Sequence, residues 1–362
     1  MNKHLSYWLA AHHLPIGRHK LLRWLKKIST PEDLFHASRN ELLSIGVSVE
    51  EIKMIQKPNW SMVEKDLTWS NTTNHAILLL QDTEYPFLLK RISDPPFLLY
   101  VKGNKKILSH KQLAIVGSRK PSPSGIRNAE RFAYQLSSAG FVITSGLALG
   151  IDAASHKGAL AAEGATISVF GTGLNHVYPS ANQWLASEII DRQGAIISEF
   201  SPDTPPKAIN FPLRNRIIAG LSLGVLVVEA AQKSGSLITA HCALEQGREV
   251  FAMPGSIHNV TSKGCHHLIK QGAKLVENID DILEELLDFR GTTKDTLSVI
   301  PAEFCISNQE EQLLKQIGYE TTPIDMIILR AGLTRSEVSS ILLSLELQGC
   351  IQTVPGGFIR VN

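Results

Sequence analysis

The chain has 362 residues, of which 43% are hydrophobic and 19% are charged. This composition is ordinary for a globular protein, and the length allows two or three domains. The sequence contains no run of about 18 apolar residues, so we expect no membrane-spanning helix. The N-terminus lacks the apolar stretch of a secretory signal. The four cysteines form no CxxC pair, which favours neither a zinc site nor a disulfide framework, so we expect a cytoplasmic protein with reduced thiols.

The net charge of +2 is unevenly distributed along the chain. Residues 1–70 hold 10 basic and 7 acidic side chains, and residues 103–277 hold 17 and 11. Residues 300–362 instead hold 4 basic and 7 acidic side chains. This asymmetry predicts a polyanionic partner for the first two-thirds of the chain and a different role for the tail.

Leucines at helical spacing in residues 1–70 predict an N-terminal helical domain of the SAM or helix-hairpin-helix type. Two turns, Leu14–Gly17 and Leu43–Gly46, look like those that present backbone amides to DNA phosphates in some helix-hairpin-helix proteins. A small helical bundle that uses glycine to turn explains the same pattern. We prefer the bundle, because one such turn is weak evidence.

Residues 71–278 are predicted to form a Rossmann-like α/β domain, which is a parallel sheet covered by helices on both faces. Strand-like runs at 76–80 and 97–101 precede it. Short apolar strands then alternate with helices, as expected of strands buried on both faces. The predicted strands are 113–116, 141–144, 166–170, 195–199, 224–228 and 249–252, with 274–276 as a further candidate. The predicted helices are 124–139, 151–162, 182–192, 238–246 and 266–271.

The C-terminal part is predicted to contain an acidic helix and a polar linker, residues 279–307, and then a small domain, residues 308–362. Two helices joined by a turn and followed by a hairpin are typical of a winged helix. The second helix carries Arg335 but also Glu337 and Glu346. Because phosphate contacts need positive charge, we expect this domain to have a protein-docking or structural role rather than to bind DNA strongly.

The carboxyl ends of the central strands carry glycines, hydroxyls and cations, and ligands of open α/β sheets bind at these ends. Glycine lets a phosphate approach the backbone, arginine adds a fork of donors, and a helix N-terminus favours an anion. Structural turns also use glycine, but several such ends in succession favour phosphate binding. The candidate phosphate-binding residues are Gly117, Ser118, Arg119, Lys120, Ser145, Gly146, Gly171, Thr172, Gly173, Asn210, Phe211, Arg214, Asn215, Arg216, Lys233, Ser234, Gly235 and Ser236.

Several catalytic and cofactor sites are disfavoured by the sequence. It lacks G-x-G-x-x-G after the first strand, a G-x-x-x-x-G-K-[ST] loop and H-E-x-x-H. The segment Gly220–Gly224 matches G-x-S-x-G, but its strand follows the serine instead of preceding it, so it is not a nucleophile elbow. We expect Asp152 to cap a helix and His156 to pack in the core. No catalytic residue, metal site or cofactor is assigned.

Segments 114–119, 145–156, 171–174, 211–220 and 234–239, followed by 254–256 and 264–269, closely resemble the DprA/Smf family of bacterial DNA-processing proteins. The resemblance is dense across about residues 80–278. It implies a non-catalytic protein that binds and protects incoming single-stranded DNA during natural transformation. It also implies a homodimer formed through the Rossmann-like domain and the loading of RecA recombinase onto the strand.

The resemblance also bears on individual residues. It implies that Arg119 grips a DNA phosphate. Some members have a basic residue after the Tyr-Pro motif, where this chain has Ser180. That departure puts one phosphate contact in doubt, and Lys207 or Lys233 would take its place.

Two other functions stay open. Related Rossmann-like folds include phosphoribohydrolases that cleave nucleotides with a carboxylate at a strand end, and Glu229 would be that carboxylate. The other is a regulatory protein that binds duplex DNA through the winged helix. The scarcity of basic residues in that domain argues against it.

Overall fold

The computed structural model describes residues 3–287, 307–347 and 349–361, and the chain divides into two compact units. The larger unit contains the N-terminal helices and a nine-stranded sheet, and the smaller unit contains the C-terminal helices and hairpin. Most of the predicted linker lies outside the described residues. The domain boundary at residue 70 stays a prediction, since the N-terminal helices share one compact unit with the sheet.

Six short helices form the N-terminal part of the larger unit. Ser38 and Ser48 cap two of them in capping boxes, which satisfy the first backbone amides of each helix. Gly46 has a φ of +92°, a conformation that favours glycine, whereas Gly17 has a φ of −59°. The helices are α1 Lys3–His12, α2 Arg18–Leu25, α3 Pro31–His36, α4 Arg39–Ser44, α5 Val49–Ile55 and α6 Trp60–Ser70.

The sheet has the order β1-β2-β6-β5-β4-β3-β7-β8-β9. Strands β3 to β9 pair in parallel, which confirms the predicted core, while β1 and β2 form an antiparallel edge next to β6. The strands are β1 His75–Leu79, β2 Leu98–Gly103, β3 Gln112–Val116, β4 Val142–Ser145, β5 Thr166–Val169, β6 Ala195–Ser198, β7 Gly224–Val227, β8 Glu249–Ala252 and β9 Lys274–Leu275.

Helices cover both faces of the sheet, so the strands alternate between two apolar cores. In β3, Ala114 and Val116 face one core, whereas Leu113 and Ile115 face the other. The helices are α7 Phe87–Lys90, α8 Pro123–Ser138, α9 Ile151–Ala161, α10 Gln183–Asp191, α11 Asn210–Leu221, α12 Gly235–Glu245, α13 Lys263–Lys270 and α14 Asp280–Leu287. Residues of the N-terminal helices share an apolar core with residues of β2, β6 and α10.

Helix α11 is the main element that the sequence does not predict, because its first residues carry a pattern of polar and cationic side chains after a strand. Its proline, Pro212, lies in the first turn, where a helix tolerates the missing N–H. Side chains two residues apart on a helix point about 200° apart. The side chains of Arg214 and Arg216 therefore diverge.

The smaller unit has the fold expected of a winged helix. Three helices, α15 Asn308–Leu314, α16 Ile324–Ala331 and α17 Arg335–Leu347, precede an antiparallel hairpin of β10 Ile351–Val354 and β11 Gly357–Arg360. Helix α16 ends at Gly332, which has a φ of +64° and suits a left-handed C-terminal cap. The helices and hairpin enclose their own apolar core.

The strand order reverses direction at β3. Strand β4, the next in sequence, lies on one side of β3, and β7 lies on the other side. Such a switch point opens a crevice at the carboxyl ends of the two strands, where open α/β sheets bind their ligands.

Candidate functional site

A cleft of about 870 Å³ opens at this switch point. Four cationic side chains line it, Arg119, Lys120, Arg214 and Lys233, against one carboxylate, Asp152. The structure therefore brings together eleven of the candidate residues, namely Gly117, Ser118, Arg119, Lys120, Phe211, Arg214, Asn215, Lys233, Ser234, Gly235 and Ser236.

The loop after β3 holds one wall of the cleft by backbone bonds. The amide of Ser118 donates to the carbonyl of Glu229 at 2.7 Å, and the carbonyl of Ser118 accepts from the amide of Ile151 at 3.1 Å. A Cβ on Gly117 would come within 2.6 Å of Ile151. Glycine is required there by packing rather than by an approaching phosphate.

The side chains of Arg119 and Lys120 follow this fixed loop and are exposed. Within the described part of the chain, neither forms an ion pair. The amide of Lys120 donates to Oγ of Ser118 at 3.1 Å, which orders the backbone that carries both cations. Among the described residues, these two cations are thus displayed at the cleft without an ion-paired carboxylate, and Asp152 is a carboxylate that interacts electrostatically with Arg119.

The N-terminus of α12 forms another wall of the cleft. Ser234 is its cap and accepts from the amide of Ser236 at 3.3 Å, and the first turn contains no acidic residue. Lys233 precedes the cap, and a Cβ on Gly235 would have no neighbour within 4 Å, so space lies open in front of the helix. The uncompensated helix dipole and Lys233 both favour an anion at this wall.

A buried pair of opposite charges lies at the floor of the cleft. Arg214 is 5% exposed and donates Nη1 to the carbonyl of Gly146 at 2.9 Å and to the carbonyl of Val169. Burial lowers the pKa of Arg214 to about 10, against a favourable contribution from Asp152. The guanidinium stays charged at neutral pH, but its Nη1 already donates hydrogen bonds to two backbone carbonyls of the protein.

Asp152 does not cap a helix, contrary to the sequence prediction. The N-cap of α9 is Gly150, and Asp152 lies within the first turn. Its Oδ2 accepts from the amides of Gly146 at 3.2 Å and Ala148 at 3.4 Å. Burial raises the pKa of this carboxyl, while Arg214 and these amides oppose the shift. Asp152 therefore holds the loop after β4.

Two aromatic rings form the rim of the cleft. Tyr178 and Phe211 have ring centroids 5.4 Å apart and an interplanar angle of 49°. Phe211 is among the residues predicted from the sequence, whereas Tyr178, which is 47% exposed and follows the glycine-rich end of β5, is not. An aromatic residue in the loop that follows such an end is the signal that could have identified it.

Five of the candidate residues, at the ends of β4 and β5, do not line the cleft. Ser145 is fully buried and donates Oγ to the carbonyl of Ile115 at 2.6 Å. Thr172 is 1% exposed and donates Oγ1 to the carbonyl of His176. The three glycines make room for neighbours: a Cβ would meet Arg214 at Gly146, Phe211 at Gly171 and the carbonyls of residues 201 and 202 at Gly173.

Asn210 and Arg216 also lie away from the cleft. Asn210 is 6% exposed at the start of α11. Arg216 donates Nη2 to Oε2 of Glu199 at 2.6 Å and Nε to Oδ2 of Asp94 at 3.2 Å, with 11% of its side chain exposed. The structure therefore does not bring Arg216 to the cleft, because a helix cannot direct Arg214 and Arg216 to one place.

The other polar residues that the sequence singled out also differ in whether they line the cleft. Lys233 lines the cleft, whereas Lys207 is exposed but is not among the lining residues. Glu229 is 7% exposed and also lies outside the lining. His156 is fully buried beside Thr166, with Nδ1 2.7 Å from Oγ1, which confirms its packing role.

Within residues 3–287, 307–347 and 349–361, no group of three or more histidine, cysteine or acidic side chains is arranged to hold a metal ion. None of the helices in these ranges is long and apolar enough to cross a membrane.

Comparison with known proteins gives a consistent match. The model of the family described as DNA recombination-mediator protein A matches residues 76–287, and that of the DprA winged helix domain matches residues 301–357. Protein Smf of Escherichia coli (strain K12) is 42% identical over 346 residues, which cover 95% of this chain and 91% of Smf.

Two solved structures are similar as well. The X-ray structure of DNA processing protein A from Streptococcus pneumoniae superposes with a TM-score of 0.65 at 37% identity, covering 77% of this chain and 96% of that one. The protein from Helicobacter pylori, described for its single-stranded DNA binding mode, gives a TM-score of 0.54 at 31% identity, covering 61% and 99%. The chain therefore belongs to the DNA recombination-mediator protein A family, as its resemblance to DprA/Smf proteins implied.

Proposed function

We propose that the cleft between β3 and β7 binds single-stranded DNA. Phosphates lie at Arg119, Lys120 and Lys233 and at the N-terminus of α12, and bases stack on Tyr178 and Phe211. The observation that carries the proposal is the placement of exposed cations and two neighbouring rings around one open cleft. Cations attract any nucleic acid, whereas base stacking on a ring requires an unpaired base.

The ring geometry supports stacking on the pair rather than insertion. With centroids 5.4 Å apart the rings contact each other, which leaves no space for a base between them. Tyr178 is 47% exposed, so its outer face is accessible to a base.

The relatives support a role in DNA processing. The Streptococcus pneumoniae protein is named for DNA processing, and the Helicobacter pylori protein is described as binding single strands. We further propose that the present chain protects incoming DNA in the cytoplasm during natural transformation and loads RecA recombinase onto it. It acts as a homodimer formed through the Rossmann-like domain.

The chain acts as a binding protein rather than as an enzyme. Glu229, the carboxylate that a phosphoribohydrolase would use, is buried at the end of β7 and does not line the cleft. Incubation of the protein with nucleoside monophosphates is expected to release no free base. Steady release that Glu229→Gln abolishes would favour the enzyme instead.

Substitution of Arg119 tests the proposed function. Arg119→Ala is expected to weaken the binding of an oligothymidine strand and to reduce the slope of log K against log salt by about one unit, the share of one phosphate contact. The thermal midpoint should not change, because the side chain is exposed. Arg131→Ala removes an exposed cation of α8 outside the cleft and is the matched control. Unchanged binding in Arg119→Ala would refute the assignment.

A further inference from the structure

Two loops at the rim of the cleft each deliver one ring of the aromatic pair. The first loop, residues 171–178, follows β5 and ends at Tyr178. The second loop, residues 199–209, follows β6 and leads into α11, whose second residue is Phe211. The relative position of the rings therefore depends on how these two loops are joined.

Asn175 joins the two loops through both its backbone and its side chain. Its backbone amide donates to the carbonyl of Pro202 at 3.0 Å, and its side-chain Nδ2 donates to Oδ1 of Asp203 at 2.7 Å. The amide of Gly173 adds a bond to the carbonyl of Thr204 at 2.8 Å. The side chain of Asn175 thus crosses from one loop to the other, three residues before Tyr178.

The same side chain is bound by the N-terminal helices. Nε1 of Trp69, in the last turn of α6, donates to Oδ1 of Asn175 at 3.2 Å. The indole is held from both sides: it stacks on His75 at 4.2 Å and meets the ring of Tyr100 edge-on at 5.6 Å. Tyr100, in β2, is fully buried, and its hydroxyl donates a hydrogen bond to Asp66 of α6, the helix that carries Trp69. The indole N–H therefore points at Asn175 from a fixed support.

We propose that Asn175 is a positioning residue for Tyr178 and Phe211, and that the N-terminal helices take part in single-strand binding through Trp69 without touching the strand. This inference rests on the proposed function of the cleft. Arg119, Lys120 and Lys233 lie on other loops, so the phosphate contacts do not depend on this junction. Loss of the junction should reduce the base-dependent part of the affinity and leave the phosphate-dependent part unchanged.

The test compares an oligothymidine strand with an abasic strand of equal length at one salt concentration. Asn175→Ala is expected to weaken binding of the thymidine strand about three- to tenfold, the range that corresponds to the loss of one net hydrogen bond. Binding of the abasic strand should not change, which also controls for folding. Trp69→Phe keeps an aromatic ring but removes the N–H, and should act in the same direction. Trp60→Phe, in the first turn of α6 against Tyr7 and Phe35, is the matched control and should leave both affinities unchanged.

An exchange of side chains supplies the rescue. Asn175→Asp alone places two carboxylates together and should weaken binding of the thymidine strand. Combined with Asp203→Asn, it restores an amide–carboxylate bond with donor and acceptor reversed, and the affinity should return to within about twofold of the original.

The outcomes separate the two proposals. If Asn175→Ala weakens both strands equally, or if the exchange restores nothing while Arg119→Ala weakens both strands, the positioning role is wrong and the cleft remains the DNA site. If Arg119→Ala changes neither affinity, the cleft does not bind the strand, and both proposals are overturned.

Discussion

The guanidinium of Arg214 lies against the backbone of Gly146, 68 residues away in sequence, and donates to its carbonyl at 2.9 Å. A Cβ on Gly146 would come within 2.6 Å of both Nη atoms. Asp152 contacts the same glycine, because its Oδ2 accepts a hydrogen bond from the amide of Gly146, and it interacts electrostatically with Arg214. The floor of the cleft is therefore a packed unit in which the glycine makes room for a buried cation.

Gly146→Ala tests this packing. We expect the free energy of unfolding to fall by about 1–3 kcal/mol, because the new methyl group displaces a buried guanidinium. Gly17→Ala is the control, since a Cβ at Gly17 has no neighbour within 4 Å and its φ is −59°. Urea denaturation of the two variants measures the difference, and an equal effect of both would show that Arg214 does not require the glycine.

Arg216→Ala should affect stability rather than DNA binding. Removing the guanidinium leaves Glu199 and Asp94 without this cation in a buried setting, which typically costs about 3–5 kcal/mol. Denaturation should show this loss, while the fraction that stays folded should bind the single strand normally. A variant that is as stable as the original protein but binds the single strand more weakly would show that Arg216 contacts DNA.

His156 should make stability depend on pH. Burial lowers the pKa of His156 from an ordinary value of 6.5 to about 3. The unfolded chain then binds a proton that the folded chain excludes, so the contribution of this residue to stability is present above pH 6.5. It is lost as the pH falls toward 3, at up to about 1.4 kcal/mol per pH unit.

His156→Leu removes this titration. The difference in free energy of unfolding between the original protein and the variant should shift in favour of the variant as the pH falls below 6.5. Urea titrations at several pH values measure it. A difference that does not change with pH would mean that the imidazole is protonated inside the fold.

Deletion of residues 300–362 should leave single-strand binding largely intact. The segment carries 4 basic and 7 acidic side chains, so its loss removes no net positive charge and should raise the on-rate slightly. Binding titrations of the full chain and the truncated chain at matched salt, with circular dichroism for folding, measure the effect. A loss of affinity of about tenfold or more in a folded truncation would show that the winged helix contacts DNA.

The sequence predicted the fold well because its signals were local. The strands of the parallel core are short apolar runs, and each begins or ends within one residue of its predicted position. Helix α11 was missed because its first turn contains proline and follows a proline-rich loop. The sequence of this segment therefore resembles a strand-end motif more than a helix.

The site was predicted only in part, because glycine has two uses that a sequence cannot distinguish. Gly235 leaves open space in front of a helix, whereas Gly171 makes room for the ring of Phe211. Likewise, Arg214 and Arg216 look equivalent in sequence, and only the helical geometry separates them. The contacts of Asn175 join loops that follow different strands, so no local sequence pattern predicts these contacts.

The central claim, that the cleft selects unpaired bases, is tested most directly by titrating the protein with a single strand and with a blunt duplex of the same length. We expect tighter binding of the single strand at every salt concentration. Stacking on Tyr178 and Phe211 is worth about 1–3 kcal/mol per base and is denied to a paired base. Equal affinity for the two at the same salt would contradict the account.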